Sequence, residues 1–190
     1  ATNTIFVTPA TTPTASDNDY TRIKNAIEAA GDNWTIDLQG TFNWTEANAN
    51  ASWALGNDGV SGAGDDDYSI LVAGGLEGVT LTASGGLGTA TIQGPGDLAS
   101  VNLEGFLYFP GGNNAGDDNK NWTISNLEIN DFDLGIGMFF SGAGVDAFDG
   151  TQILNNRIRI ATDLNATVAP IDVNQNIGIH YAFGANQTIQ

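Results

Sequence analysis

Residues 121–129 read NWTISNLEI, and this stretch decides the fold. Its first apolar residues, Trp122 and Ile124, alternate with polar ones, which is the pattern of a short β-strand with one buried face. Asn126 interrupts the alternation, which restarts directly after it, and residues 153–158 (ILNNRI) repeat the arrangement. Asparagine tolerates the left-handed backbone of a sharp corner, and its amide can bond to an asparagine stacked above it. Both stretches therefore predict a strand, a corner and a second strand.

The opening of this stretch recurs along the chain. Residues 33–36 (NWTI) and 186–189 (NQTI) are near copies of residues 121–124, and residues 78–81 (GVTL) and 150–153 (GTQI) are looser ones. The last residues of successive copies are 45, 43, 29 and 36 residues apart. An irregular period in this range is typical of a solenoid whose coils carry loops of different length. The recurrence therefore predicts successive coils of one solenoid.

The N-terminal part of the chain predicts one strand and one helix. Residues 4–7 (TIFV) have a strand pattern, and the Pro/Thr-rich residues 8–15 are typical of an extended linker. Ser16, with Asp19 three residues later, is a candidate capping box for a helix, and Gly31 is a natural stop. The residues expected on the buried face of this helix are Tyr20, Ile23, Ala26, Ile27 and Ala30.

These patterns, together with the opening DYTRIKNAIEAAGDNWTIDLQGTFNW at residues 19–44, resemble the right-handed parallel β-helix, or pectin-lyase-like, superfamily. The resemblance covers residues 17–190. It implies an all-β fold: a right-handed parallel β-helix solenoid with a short N-terminal capping α-helix. We accordingly expect residues 1–15 to form an N-terminal strand and linker, and residues 16–190 to form the capping helix and first coils. The superfamily includes lyases, hydrolases, adhesins and phage fibres, so the fold does not specify a reaction.

The charge of the chain is very uneven. It carries 22 acidic and 5 basic residues, a formal net charge of −17, although only 14% of its residues are charged. Binding to nucleic acid requires basic residues that displace counterions from phosphates, so no nucleic-acid partner is expected. Binding to anionic membrane surfaces is disfavoured for the same reason. The acidity indicates either a calcium-binding protein or an extracellular protein that charge keeps soluble.

Three further features bear on the compartment. The chain has no cysteine, so it can contain neither a disulfide nor a thiolate metal site. Its apolar runs are all shorter than the roughly 18 residues of a membrane span, and no membrane insertion is expected. It begins at Ala1 without a signal sequence, as a mature secreted protein does after cleavage. We therefore expect an extracellular protein, either secreted or held at the cell surface.

Two similar loops predict a calcium site. Residues 61–68 (SGAGDDDY) and 141–148 (SGAGVDAF) partly match the Gly-x-Gly-x-Asp repeat of calcium-binding β-rolls. Such sites require consecutive stacked copies, whereas these loops lie far apart in the sequence. The alternative is two loops of similar composition that bind no metal. The candidate Ca²⁺ ligands are Asp65, Asp66, Asp67, Asp146 and Asp149.

Aromatic residues around the long Gly/Asn/Asp-rich insertion at residues 43–67 are candidates for binding a glycan. Trp44, Trp53 and Tyr68 could stack on sugar rings. Equally, they could attach the insertion to the sheet, which is the commoner role of a large aromatic side chain.

Catalytic residues are harder to assign. A polysaccharide lyase of this fold needs a strong base and a cation that holds the uronate carboxylate. Arg157 and Arg159 flank an inward Ile158, so both are expected to point outward. The alternative is that they pair with acidic neighbours, for which the candidates are Glu128, Asp131 and Asp133. Abundant acidic residues make a glycosidase pair impossible to identify from sequence alone, and His180 is expected to be a surface residue.

Two hypotheses for function follow. The first is an extracellular structural or cell-surface protein, either an adhesin-like stalk or a subunit of a self-assembling fibre. Self-association could use the N-terminal strand, added to a neighbouring subunit, or the uncapped coil that ends at Gln190. The strand could equally pair within its own first coil. The second hypothesis is a polysaccharide lyase or hydrolase of the pectin-lyase-like superfamily.

Overall fold

The computed structural model describes residues 3–14, 16–44, 67–72, 74–96, 103–111, 118–132, 134–140, 148–160, 177–181 and 188–190. The fold is mostly β, with parallel sheets and one short helix. The elements are β1 (Thr4–Val7), α1 (Asp19–Ala29), β2 (Thr35–Leu38), β3 (Gly40–Asn43), β4 (Asp67–Leu71), β5 (Thr80–Thr82), β6 (Ala90–Gln93), β7 (Leu103–Gly111), β8 (Thr123–Ser125), β9 (Glu128–Phe132), β10 (Leu134–Phe140), β11 (Gln152–Leu154), β12 (Arg157–Ile160), β13 (Ile177–Tyr181) and β14 (Thr188–Ile189).

The strands form three sheets that the chain visits in strict rotation. The first sheet has the order β1-β2-β5-β8-β11-β14, the second β3-β6-β9-β12 and the third β4-β7-β10-β13. From β2 onward, each passage through the first, second and third sheets makes one coil, and each coil lies against the next. Every described pairing is parallel. This is the all-β, solenoid-like architecture that the sequence predicts.

The recurring motif occupies the same position in successive coils. In the first sheet Ile36 pairs with Leu81, Leu81 with Ile124, Ile124 with Ile153, and Ile153 with Ile189. The first four of these side chains are buried, with exposed fractions between 0% and 2%. The spacing of the motif therefore predicted both the strands and their register.

The corner that leads into the first sheet alternates between asparagine and glycine. Asn33 and Asn121 have φ values of 60° and 56°, and Gly78 and Gly150 both have a φ of 71°. A methyl group at Gly78 would lie 2.4 Å from Asn33 Oδ1, and one at Gly150 would lie 2.1 Å from Asn121 Oδ1. The asparagine of one coil thus occupies the space that a side chain of the next coil would need. Glycine is required there for both its conformation and its size.

The corner between the first and second sheets carries stacked asparagines. Asn126 and Asn155 have φ values of 61° and 52°, and Asn155 Nδ2 donates to Asn126 Oδ1 at 2.7 Å. The neighbouring Asn156 accepts from the Leu127 amide at 2.9 Å and donates to the Ile124 carbonyl at 2.8 Å. The predicted asparagine corner and its bond between coils are both confirmed.

The helix begins two residues later than the Ser16 capping box requires. Its N-cap is Asn18, whose Oδ1 accepts from the Thr21 amide at 2.9 Å, while the Thr21 hydroxyl oxygen accepts from the Asn18 amide at 2.9 Å. The prediction of Ser16 was wrong because Asn18 and Thr21 offer the same reciprocal pair at the correct spacing. The predicted apolar face is confirmed, since Tyr20, Ile23, Ala26, Ile27 and Ala30 are all buried.

The helix covers the first coil and is attached to it by a buried carboxylate. Asp19 Oδ1 accepts from the Ala10 amide at 2.6 Å, and its Oδ2 accepts from the Asn43 amide at 2.7 Å. Asp19 therefore joins the linker, the start of α1 and the end of β3. The Tyr20 ring packs edge-on against Trp44 with 5.3 Å between the ring centroids. This end of the stack is closed.

Strand β1 pairs in parallel with β2 of its own chain, with Ile5 opposite Ile36. Of the two alternatives that the sequence left open, the structure therefore shows pairing within the first coil. At the other end of the described stack, Ile160 and Ile189 are 40% and 56% exposed.

A second buried carboxylate bridges the first two coils. Asp37 is 1% exposed, and its oxygens accept from the Ser84 amide at 2.8 Å and the Ser84 hydroxyl at 2.6 Å. Gln39 Nε2 donates to the same carboxylate at 3.0 Å. Burial opposes ionisation, but the hydrogen bonds outweigh it and hold the pKa of Asp37 below its usual value of 3.8.

The alternating corner predicts that Gly78→Ala destabilises the protein by about 2–3 kcal/mol, because alanine is strained at positive φ and its methyl group meets Asn33. Gly86→Ala is the matched control, since Gly86 has a φ of 94° but nothing within 4 Å of the added methyl group. Urea unfolding, followed by tryptophan fluorescence, measures both. Equal losses in the two variants would mean that the contact with Asn33 costs nothing.

The lowered pKa of Asp37 predicts a pH-dependent contribution to stability. The contribution is complete above the unfolded-state pKa, for which the ordinary value is 3.8, and is lost as the pH falls through the lower folded-state pKa. At pH 7, Asp37→Asn should lower the free energy of unfolding by about 1–3 kcal/mol, because hydrogen bonds to a charged group are lost. The difference between wild type and variant should shrink below pH 4 in urea unfolding. A difference that is independent of pH would contradict this role.

Candidate functional site

The outward side of the second sheet carries two rows of polar side chains. The inward residues Phe42, Ile92 and Ile129 pair in register and are buried, so their neighbours in each strand point outward. One outward row consists of Thr41, Thr91, Glu128 and Arg157, and the other of Asn43, Gln93, Asn130 and Arg159. We call these two rows, with the adjoining Asp131, the polar face.

An ion pair lies in the first row of the polar face. Arg157 Nη1 donates to Glu128 Oε1, and the Thr91 hydroxyl donates to Glu128 Oε2 at 3.2 Å. The Arg157 side chain is 49% exposed and that of Glu128 is 17% exposed. This pair confirms the alternative in which Arg157 has an acidic neighbour in the preceding coil. Arg159 forms no ion pair within the described residues.

The second row is organised by a sharp turn of the backbone at Asp131. This residue has a φ of 55°, and its side chain accepts a hydrogen bond from Gln93 Nε2. Its carbonyl oxygen would lie 2.2 Å from a methyl group at Gly94, so only glycine fits in the neighbouring coil. Asn130 Oδ1 is buried and makes no hydrogen bond to the described part of the protein. The face thus presents two carboxylates, two guanidinium groups and three amides.

These groups suit binding better than proton transfer. A lyase base must accept a proton from its substrate, whereas the Arg157 guanidinium donates to Glu128. Glu128 already accepts from both Arg157 and Thr91. Rows of donors and acceptors at strand spacing can bind hydroxyl groups of an extended glycan. Gln93 and Asn130 were not identified from the sequence; their only signal is that each follows an inward residue of its strand.

Most of the predicted calcium ligands lie outside the described residues, namely Asp65, Asp66 and Asp146. Asp67 begins β4, but its side chain also lies outside them. Asp149 is half-buried in the turn before β11, where its carbonyl accepts from the Asn121 amide at 2.7 Å. Among the residues that the structure describes, no three His, Asp or Glu side chains form a group that could hold a metal ion. The calcium site stays a prediction.

Of the aromatic residues predicted to bind sugar, only the Trp44 side chain is described, because Trp53 and the Tyr68 side chain lie outside the described part. Trp44 is 0% exposed. Its ring lies 5.1 Å from that of Phe132 and 5.5 Å from that of Phe106, centroid to centroid. A ring without an exposed face cannot stack on a sugar. The glycan role predicted for Trp44 is therefore wrong, and the residue anchors the start of the insertion in the core.

Comparison of the chain with protein-family models, with curated proteins and with solved structures found no match. The helix that the structure describes is too short to cross a membrane.

The exposure of the ion pair predicts a small effect on stability. Arg157→Ala should lower the free energy of unfolding by less than about 1 kcal/mol, because an exposed salt bridge gains little over solvation. The loss should become smaller in high salt, which screens the pair. Arg159→Ala, in the same strand but without an ion pair, is the control and should show no salt dependence. Urea unfolding at two salt concentrations measures both, and a loss that persists in high salt would contradict the exposed-pair interpretation.

Proposed function

We propose that the chain is a right-handed parallel β-helix that serves as a structural stalk at the cell surface or in the extracellular space. The observation that carries this proposal is the stacking of the five motif copies, in register, through β2, β5, β8, β11 and β14 of the first sheet. Parallel strands joined by crossovers are nearly always right-handed, which supports the handedness. A stack whose coils contact only their neighbours forms an extended support.

The closed N-terminal end favours a stalk over a fibre subunit. Subunits that stack end to end need two open ends that fit each other. Here α1 covers the first coil, Asp19 attaches it to the linker and to β3, and β1 is already paired with β2. Exchange of β1 between subunits would have to break these contacts.

Charge and composition support an extracellular setting. A net charge of −17 prevents association with nucleic acid and keeps a long stack soluble. Besides Glu128, Arg157 and Arg159, the described outward rows of the second sheet carry threonine, asparagine and glutamine, which remain soluble without attracting oppositely charged partners.

The alternative is a polysaccharide lyase or hydrolase, and one observation favours it. Glu128, Asp131, Arg157 and Arg159 lie on one side of one sheet, where an extended polymer could contact all four. Two carboxylates and a cation are the groups that glycosidases and lyases use.

A turnover assay separates the two proposals. The purified chain is incubated with uronate and neutral polysaccharides in the presence of calcium, and unsaturated products and reducing ends are measured. We expect no turnover above a heat-inactivated blank. Turnover that is lost in Arg157→Ala but kept in Arg159→Ala would establish the enzyme and contradict the structural proposal.

Light scattering and negative-stain microscopy over a range of concentrations test the stalk itself. We expect a particle of constant mass, because the N-terminal end is closed. Concentration-dependent fibres would replace the stalk with a fibre subunit. Repeating the measurement with a calcium chelator tests the predicted acidic ligands, since only a chain that uses calcium would change.

A further inference from the structure

The outward side of the first sheet carries a row of threonines. Strand pairing places Thr4 opposite Thr35, Thr35 opposite Thr80, and Thr80 opposite Thr123. It also places Thr123 opposite Gln152, and Gln152 opposite Thr188. We call these six positions the threonine row; five of them are threonine.

The row is regular because the sheet that carries it is regular. Neighbouring strands of a sheet lie about 4.8 Å apart, so six strands place the row along roughly 24 Å. The described pairs of the first sheet show no register shift, whereas the second sheet has one between Arg159 and Ile160 and the third has one between Tyr68 and Ile70. Of the three sheets, the first therefore repeats most exactly from strand to strand.

The threonine hydroxyls are available to a ligand. Thr35, Thr80 and Thr123 are partly exposed, and their hydroxyls form no hydrogen bond with the part of the chain that the structure describes. The next outward row is different: Thr82 and Ser125 bond to each other, with 2.8 Å between their hydroxyl oxygens. The hydroxyls of Thr82 and Ser125 are thus hydrogen-bonded to each other, whereas those of Thr35, Thr80 and Thr123 are left for a ligand.

The threonine row is also uncharged. Of the 22 acidic residues in the chain, only Asp37 lies within a strand of the first sheet. It is 1% exposed and accepts hydrogen bonds from Ser84. Charged side chains hold their own hydration shells, so a charged face orders water around its ions. At a neutral row of hydroxyl and methyl groups, the water molecules can instead be arranged at the spacing of the threonine side chains. In a chain with a net charge of −17, this neutrality is a distinct property of the face.

We propose that the threonine row binds the surface of an ice crystal. The ligand is a lattice of water molecules, which is neutral and periodic like the row. Each hydroxyl can both donate to and accept from a lattice water. The strand spacing lies near the repeat of water molecules along a face of hexagonal ice. Many weak bonds that form together on one rigid face hold the protein to the solid.

A neutral polysaccharide fits this face less well. Sugar sites use exposed aromatic rings, onto which the sugar stacks. Among the described residues of the first sheet, the exposed aromatic is Phe6, which lies in β1 at the end of the sheet and lines a groove of about 390 Å³ beside α1. The interior of the threonine row has no such ring.

The test measures the growth of ice in the presence of the intact chain. We expect the wild type to inhibit ice recrystallisation and to separate the freezing point from the melting point. Thr80→Tyr and Thr123→Tyr place a bulky ring in the middle of the row and should each reduce both effects about tenfold or more, since multivalent contact requires the whole row. Circular dichroism verifies that each variant is folded.

Thr12→Tyr is the control, because Thr12 is an exposed threonine of the linker that lies outside both the threonine row and the polar face. It should keep wild-type activity on ice. The proposal is overturned if the wild type has no effect on ice, if Thr80→Tyr and Thr123→Tyr remain active, or if Thr12→Tyr loses as much activity as they do. A different ligand would show itself in another way: the wild type would have no effect on ice but would co-sediment with crystalline cellulose or chitin, and the row variants would lose that co-sedimentation. This result would overturn the proposal and assign the row to a neutral polysaccharide. None of these outcomes depends on whether the polar face is catalytic.

Discussion

A coil of this protein cannot bury its own apolar side chains; it can bury them only against the coils on either side. That constraint explains why the inward residues of the first sheet are all aliphatic and all in register. A slip of one residue in any strand would turn its inward side chains outward. The helix α1 is needed for the same reason, because the first coil has no preceding coil and would otherwise expose its apolar end.

The corners maintain this register, and they do so by two different means. Where the chain enters the first sheet, asparagine and glycine alternate between coils, because the side chain of each asparagine fills the space that a side chain at the neighbouring glycine would need. Where it leaves that sheet, Asn126 and Asn155 stack and bond directly. In the first coils Asp37 and Ser84 provide the equivalent bond between coils with a carboxylate. At the second corner and in the first coils, Asn156 and Asp37 also accept from the backbone amides of Leu127 and Ser84, which a tight turn would otherwise leave unpaired.

The sequence predicted the structure best where the same local pattern of strand and corner recurs from coil to coil. The motif copies gave the strands and the register of the first sheet, and the asparagine corners gave the bond between coils. In the third sheet, alternation predicted the strands at residues 136–140 and 177–181, but β7 was missed, because residues 103–111 (LEGFLYFPG) lack strict alternation and contain glycine and proline. Burial of Trp44 also escaped prediction, since a tryptophan beside a polar insertion has the same local sequence whether it faces the core or a ligand. The polar face and the threonine row combine residues from distant coils, so only the strand register brings them together.

The connections between the second and third sheets differ greatly in length, from the single residue 133 after β9 to residues 44–66 after β3. The strands on either side of them still pair in parallel with those of the next coil, with one register shift between Tyr68 and Ile70. Insertions and deletions can therefore accumulate at this one edge without disturbing the stack. Over evolutionary time such a chain loses the periodicity of its sequence and keeps the periodicity of its structure. Genes of this kind would diverge mainly in the length of one connection, and an alignment that penalises gaps evenly would treat equivalent coils as unrelated.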